Sequence, residues 1–594
     1  MSEQLACLST ASPVGRSPVL FGQAPRRCSG WLHGAPSQVG VVLCAPFGAE
    51  EESSHRSMLY LADCLARHRM CALRFDYPGC GDSEGDASER ARLEDWVDAA
   101  AEAAEFLRQG AGCSEIGFVG LRLGAMVAGL ASQRARARWL ALWAPVSSGR
   151  RHARELRAIA ALGAGAGAAQ GSALFEVAGH ALAADFVDGL GRLQCQDWQL
   201  GGLQRALLLE RDDAVADEAL RQCLGAAGMP LDSLQFPGGA AMFDEPHQAL
   251  VPDLAIRQMG AWFATHAVAS ASDLRESGGS APTPWRPPEP ILRTSHYQER
   301  PVGLGEGRRV FGVLCTPVVE AAPRPLLVLL NAGAVHHIGP GRLHVRLARE
   351  LARRGVASLR IDAPAIGDSL LPGMPCENDC YPESGVDDLL EVLEGVHRQL
   401  GFERVQLAGL CSGAHWALRV AMDPRARGVE AVAMINLRIL EWGDESRRAL
   451  GRSASESLRY RKAILQWASW KKLLTLRVQL RSGLQSILHH GVAAIGAALR
   501  GAGRRLGAVR ANAIEQGLRR LRARRVRVGL FVGEAEPGWL LLRQAAPEEA
   551  RIGLESSVIQ VFAQPDADHT FGGEASKQRL FRDMHAFVTS SWPV

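Results

Sequence analysis

Short, largely apolar runs alternate along this chain with stretches whose apolar positions recur at helical spacing. Val41-Val42-Leu43-Cys44 and Leu326-Leu327-Val328-Leu329-Leu330 are runs of the first kind, as are Val405 to Ala408, Val528 to Val532 and Val558 to Phe562. Near-continuous apolarity, rather than strict alternation, predicts strands covered on both faces, as in a parallel sheet. Stretches of the second kind, such as Leu61-Ala62-x-x-Leu65-Ala66-Arg67, gather their apolar residues on one face of a helix. Strand, loop, amphipathic helix and buried strand follow one another, which is the βαβ pattern of an α/β fold.

The pattern occurs twice. Leu61-Ala62-x-x-Leu65-Ala66-Arg67, Leu73-Arg74-Phe75-Asp76 and Gly81-Asp82-Ser83 return as Leu347-Ala348-x-x-Leu351-Ala352-Arg353, Leu359-Arg360-Ile361-Asp362 and Gly367-Asp368-Ser369, at a constant separation of 286 residues. So long a period does not fit a solenoid; it predicts two tandem domains, each a mostly parallel sheet flanked by helices. Ser270 to Pro290 is rich in Ser, Gly and Pro, a composition that suits a linker. The expected division is a domain over residues 1–268, a linker over 269–295 and a second domain over 296–594.

Between a strand and a helix the second copy reads Gly409-Leu410-Cys411-Ser412-Gly413. Small residues two before and two after a central nucleophile are what a sharp strand-to-helix turn requires, because larger side chains at the outer positions collide. A thiol at the centre predicts acyl-transfer chemistry through Cys411. The later strands are followed by Gly533-Glu534-Ala535-Glu536 and by Asp566-Ala567-Asp568-His569, giving the chain order nucleophile, acid, base. His569 is expected to take the thiol proton and Glu536 to orient the imidazole, with Glu534 as the reserve carboxylate. A base of ordinary pKa would make kcat/KM rise through about 6.5. The oxyanion hole is expected from backbone N–H groups, one at Ser412 and one in the Asn331-Ala332-Gly333-Ala334 loop, at Gly333 or Ala334.

The first copy has an elbow of its own, Gly120-Leu121-Arg122-Leu123-Gly124. Arginine stays protonated and cannot attack a carbonyl, so this domain is expected to be catalytically inactive. Simple counting puts Phe243 where the second copy has its histidine, with His247 four residues on. Arg122, in this pseudo-elbow, either pairs with the carboxylate of Asp212 or Asp213 or binds an anionic group.

On these motifs the C-terminal half resembles a group of bacterial α/β-hydrolases (serine aminopeptidase S33-like), through Asn331 to Gly333, Gly367 to Ser369, Gly409 to Ala414 and Ala567 to Phe571. The N-terminal half is similar to hydrolases associated with exosortase and exopolysaccharide gene clusters, through Pro46-Phe47-Gly48, Gly79-Cys80-Gly81-Asp82-Ser83 and Gly120 to Ala125. The resemblance implies two α/β-hydrolase-like domains and a hydrolase acting on an ester or thioester. Glu536 stands where that group leads one to expect aspartate.

Charge adds a possible partner. Over residues 438–525, where such folds carry a helical cap, there are 20 Lys and Arg against five acids, although the whole chain is only +4. Trp467-x-x-Trp470-Lys471-Lys472-Leu473-Leu474 and Leu518-Arg519-Arg520-Leu521-Arg522 read as basic amphipathic helices. An anionic acyl carrier (coenzyme A or an acyl carrier protein), an anionic glycan or peripheral contact with an anionic membrane fits them, with Arg519, Arg520, Arg522, Arg524 and Arg525 as contact residues. Alternatively, the excess is a solvated cap face. No nucleic-acid-binding motif accompanies it. The 13 cysteines form no framework and suit a reducing cytoplasm, and Cys376-x3-Cys380 has no second pair for a metal. No cofactor is expected. Besides hydrolysis, transfer of the acyl group to an amine or hydroxyl acceptor and a non-catalytic scaffold role fit the sequence.

Overall fold

The computed structural model of the protein describes residues 14–90, 92–163, 174–198, 200–215, 217–268, 285, 287–319, 324–369, 377–441 and 512–591. Most of the expected linker and of the basic cap, including Trp467 to Leu474, lies outside them. The chain divides into two compact units, Met1–Cys380 with Thr570–Phe581, and Tyr381–His569 with Arg582–Val594.

The first unit contains an eight-stranded sheet. Its strands are β1 (Arg16–Phe21), β2 (Cys28–His33), β3 (Val39–Cys44), β4 (Cys71–Phe75), β5 (Glu115–Leu121) and β6 (Trp139–Trp143), then, past a small β7–β8 hairpin (Leu174–Val177, His180–Ala183), β9 (Arg205–Arg211) and β10 (Leu231–Phe236). They run in the order β1-β2-β4-β3-β5-β6-β9-β10. From β4 onward neighbours are parallel, and β1 and β2 are antiparallel. Every residue of β3, β4, β5 and β6 is buried, which is why these strands read as largely apolar runs, with Arg74 and Glu115 as the charged exceptions. Helix Ala49–Arg67 packs on β4 and keeps Leu61, Ala62 and Leu65 fully covered, as the helical spacing of these residues requires.

The second copy of the repeat begins in the same unit with β11 (Leu292–Arg293), β12 (Tyr297–Leu304), β13 (Val310–Pro317), β14 (Leu326–Leu330) and β15 (Ser358–Ile361). β13 pairs antiparallel with β15, and β14 runs parallel to β15, just as β2, β4 and β3 do in the first copy. The repeated Arg and Gly-Asp-Ser positions are cross-connected. Arg74 donates to Asp368 at 2.6 Å, and Arg360 donates to Asp82 at 2.5 Å. Each arginine therefore binds the aspartate of the other copy. His337 bridges Asp82 (2.7 Å) and Asp362 (2.8 Å), completing a buried network.

The second unit carries four parallel strands, β16 (Val405–Leu410), β17 (Val429–Ile435), β18 (Arg527–Gly533) and β19 (Ile559–Gln564), in that order. Helix Ser412–Met422 follows β16 and lies against β16 and β17. The architecture is thus α/β, with mostly parallel sheets flanked by helices, consistent with two α/β-hydrolase-like domains. Among the described residues no helix is long and apolar enough to cross a membrane.

Both elbows adopt one backbone conformation. Arg122 has φ 52°, ψ −117° and Cys411 has φ 58°, ψ −109°. A side chain with positive φ costs energy, so the turn must be imposed by its surroundings. The imposing feature is close backbone approach. A Cβ on Gly409 would lie 2.3 Å from the carbonyl carbon of Gly413, and one on Gly120 would lie 2.4 Å from the Cα of Ala125. Gly409→Ala is therefore expected to cost about 1–3 kcal/mol, the usual range for overpacking. Gly225→Ala, in helix Glu218–Ala226 with open space around it, should be neutral or stabilising by up to about 1 kcal/mol. Chemical denaturation followed by tryptophan fluorescence compares the two; equal midpoints would mean that the elbow tolerates a methyl group.

Candidate active site

Cys411 is the residue between β16 and helix Ser412–Met422. Its N–H donates to the carbonyl of Ile435 (3.0 Å), which hangs the elbow on the end of β17, and its side chain is partly exposed. Ser412 opens the helix, so its N–H belongs to the first turn, where backbone donors point out of the helix end. His415, one turn further on, is buried, and burial lowers its imidazole to about 4. The neutral ring donates from Nδ1 to the carbonyl of Ile439 (3.0 Å).

The loops after β18 and β19 bring Glu536 and His569 to this elbow. His569 Nδ1 lies 3.0 Å from Glu536 Oε1, and Cys411 is near enough to raise the imidazole. With Nδ1 committed to the carboxylate, Nε2 is the nitrogen left for sulfur. Glu536 is the carboxylate in this chain of contacts, its side chain only 5% exposed, whereas Glu534 points into solvent. Burial alone would lower the His569 imidazole. Cys411 and the hydrogen bond to Glu536 outweigh it and raise the group to about 9. The expectation of an imidazole near 6.5 is therefore corrected: these partners stabilise the protonated ring. For Glu536, burial favours the neutral acid, but the His569 hydrogen bond and the Arg438 charge hold the carboxyl below its usual range.

Two contributors were not visible as motifs. Arg438 donates to both oxygens of Glu536, at 3.2 and 3.4 Å, and keeps its side chain 45% exposed. Asn436, fully buried at the end of β17, bonds the backbone of both the acid loop and the base loop. The only sequence signal is their place directly after a parallel strand, where α/β sheets collect functional groups.

Gly333 and Ala334 follow β14 in the first unit, in a turn shaped by Asn331, whose Nδ2 donates to the Val335 carbonyl (3.1 Å) and to Asp362 (3.0 Å). Of the five arginines expected at a carrier surface, three are engaged within their own unit. Arg519 bonds Glu549 (2.8 Å) and Glu515 (2.7 Å), Arg522 pairs with Glu549 (3.2 Å), and Arg524 donates to the carbonyls of Ala421 and Asp423 (3.0 and 3.1 Å). Arg520 is exposed and donates to the Gln516 carbonyl at 3.4 Å; Arg525 ends the helix in a left-handed conformation, φ 56°.

In the first unit Arg122 does not pair with Asp212 or Asp213. Its partner is Glu50 (2.8 Å), and its guanidinium lies 5.9 Å from the ring centroid of Phe243. Asp213 is taken by Arg211 (2.6 Å) and His247 bonds Gln248 (3.0 Å). Glu50 stands in the first turn of helix Ala49–Arg67, where the helix dipole favours a carboxylate, and nothing in the local pattern links it to an elbow 72 residues on.

Elsewhere among the described residues, two groups place ligand-type atoms within 4.8 Å of one another: Glu51, His55 and His336, and His337, Asp362 and Asp368. The His55 and His336 rings are stacked 4.0 Å apart with their planes 20° from parallel, so their in-plane lone pairs run side by side instead of converging. His337 is already bonded on both nitrogens. The geometry is that of an ion-pair network rather than a preformed metal centre.

No family model and no curated protein matches the chain. Among solved structures, it is similar to the esterase Est1E from Butyrivibrio proteoclasticus with ferulic acid bound, at 16% identity over 41% of this chain and 98% of that one, with a TM-score of 0.33. It is also similar to XC6422 from Xanthomonas campestris, an α/β serine hydrolase without a lid (15% identity, 42% and 95% covered, TM-score 0.29). A hyperthermophilic esterase from the archaeon Pyrobaculum calidifontis matches at 15% identity over 45% of this chain and 90% of that one, with a TM-score of 0.31.

Proposed function

We propose that the second unit catalyses acyl transfer from an ester or thioester through Cys411, His569 and Glu536. The observation that carries this reading is the place of His569, bonded to Glu536 at 3.0 Å and raised by the neighbouring Cys411. The thiolate is the nucleophilic form of cysteine, and a raised imidazole beside it is a strong enough base to draw off the thiol proton. The sulfur attacks the carbonyl carbon, and the carbonyl oxygen becomes an oxyanion that the Ser412 N–H can receive. The tetrahedral intermediate collapses as His569 gives its proton to the departing oxygen or sulfur, leaving a thioester on Cys411. In the second half-reaction neutral His569 takes a proton from the attacking water, amine or hydroxyl, and Cys411 leaves as thiolate. Glu536 fixes the ring and supports its positive charge.

Cys411→Ala is expected to abolish turnover and any covalent adduct, while Arg122→Ala, far in sequence from this chemistry and lacking a nucleophile, should keep activity within about twofold. Intact-mass spectrometry after brief incubation with a panel of acyl esters and thioesters reads the adduct on the wild-type chain. Adding amine or alcohol acceptors tells hydrolysis from transfer. Turnover by Cys411→Ala would remove this residue from the mechanism.

The pH dependence follows from His569. Because its folded value is raised, the protonated ring persists below about 9 and is lost as pH rises through that value. kcat/KM for acylation should accordingly fall on the alkaline side near pH 9 instead of rising through the ordinary imidazole range. Glu536→Gln removes one of the partners that raise the group, so the alkaline limb should move to lower pH and kcat should fall by about 100-fold or more. A pH–rate profile of both proteins checks this; an unmoved limb in Glu536→Gln would show that the carboxylate does not act on the base.

A further inference from the structure

We infer that Asn436 is a positioning residue that holds the acid and the base of this site in register, an inference that rests on the Cys411–His569–Glu536 reading. Asn436 directly follows β17 and is completely buried, with a left-handed backbone, φ 45°. Its Nδ2 donates to the carbonyl of His569 (2.8 Å) and to that of Asp568 (3.2 Å). Its Oδ1 accepts the N–H of Gly533 (2.8 Å), and the Gly533 carbonyl in turn accepts the N–H of Glu536 (3.1 Å). An asparagine amide has two N–H donors and one carbonyl oxygen, and here both donors and the oxygen are used. One side chain therefore ties the turn that carries Glu536 to the backbone of His569 itself.

The first copy of the repeat provides the control. There the carbonyl of Trp143 receives the N–H of Arg122 at 3.0 Å, as Ile435 receives that of Cys411. The next residue, Ala144, donates its N–H to Leu209 at 2.8 Å, as Asn436 does to Phe531 at 2.9 Å. Ala144 has φ 44° against 45° for Asn436. The backbone of this turn thus closes identically on alanine, even though a left-handed conformation favours asparagine. The copy with alanine is the one whose elbow holds arginine and where counting finds Phe243 in place of a histidine. The amide is present where there is an acid–base pair to align and absent where there is none, so the turn alone does not account for it.

Loss of the clamp would let the two loops drift independently, and a misplacement of about 1 Å costs on the order of 100-fold in rate. The test installs the residue of the other copy, Asn436→Ala, together with Asn436→Ser, in the full-length protein, with a reactive acyl thioester as probe. kcat should fall about 10- to 100-fold with KM within about twofold, scaled to the alignment cost above. The alkaline limb should move down from about 9, since His569 loses its alignment with Glu536. The thermal midpoint should stay within a few degrees of wild type. Wild-type kcat and an unmoved limb in both variants overturn the proposal. So does a fall in rate that tracks a lowered melting temperature with the limb unmoved, because that is the signature of a stability role. His569→Gln is measured in parallel: if it abolishes turnover while both Asn436 variants behave as wild type, the clamp alone fails. If it retains turnover, the triad reading fails and takes the clamp with it.

Discussion

A single backbone constraint organises the second unit: the residue between β16 and its helix must sit at positive φ while two glycines let the chain fold back on itself. Gly409 and Gly413 are small because their backbones nearly touch, and that contact lifts Cys411 out above the strand ends. Everything else in the site is placed relative to it. Ile435 holds the elbow by one hydrogen bond, and the next residue along, Asn436, reaches the two loops that supply acid and base. The first unit keeps the same constraint around Arg122, which shows that the turn is a property of the fold and not of the chemistry mounted on it.

Charge is arranged differently at the two elbows. In the first unit a permanent cation is bonded to Glu50, lies near Glu155 and the Phe243 ring, and has no proton to pass on. In the second unit the positive charge is a proton on His569, set between Cys411 and Glu536, with Arg438 on the far side of the carboxylate opposing it. A proton can be handed on and a guanidinium cannot. The same turn therefore supports a mobile charge in one copy and a fixed one in the other.

The repeat, the parallel strands and both elbows were legible because each is written in short runs of neighbouring residues. What the sequence left unread depends on contacts between distant ones. Glu50 reaches Arg122 across 72 positions, and Asp213, which looked suitable, is taken by a neighbour two residues away. Asn436 carries no motif; it becomes meaningful only once its amide is seen between two loops about a hundred residues further on. Arg519 and Arg522 entered the charge count as free cations, yet Glu549 and Glu515 occupy them, because counting sees sign and not pairing. The imidazole of His569 departs from its solution value for the same reason: its partners are tertiary neighbours.

The crossed pairs Arg74–Asp368 and Arg360–Asp82 carry one further consequence, for how this chain can change. Each is nearly or fully buried, and removing one partner of such a pair leaves the network around it with an excess of one charge, at a cost of up to about 3–5 kcal/mol. Neither copy of the Gly-Asp-Ser motif is then free to drift on its own. A substitution at Arg74 is answered at Asp368, 294 residues away, and one at Arg360 at Asp82, 278 residues away. The copy whose elbow holds Arg122 is thus tied to the folding requirements of the copy whose elbow holds Cys411. Across descendants of this gene the four positions are expected to vary together or not at all, and separating the copies would leave Arg360 to Glu299 and Arg74 to the ring of His33.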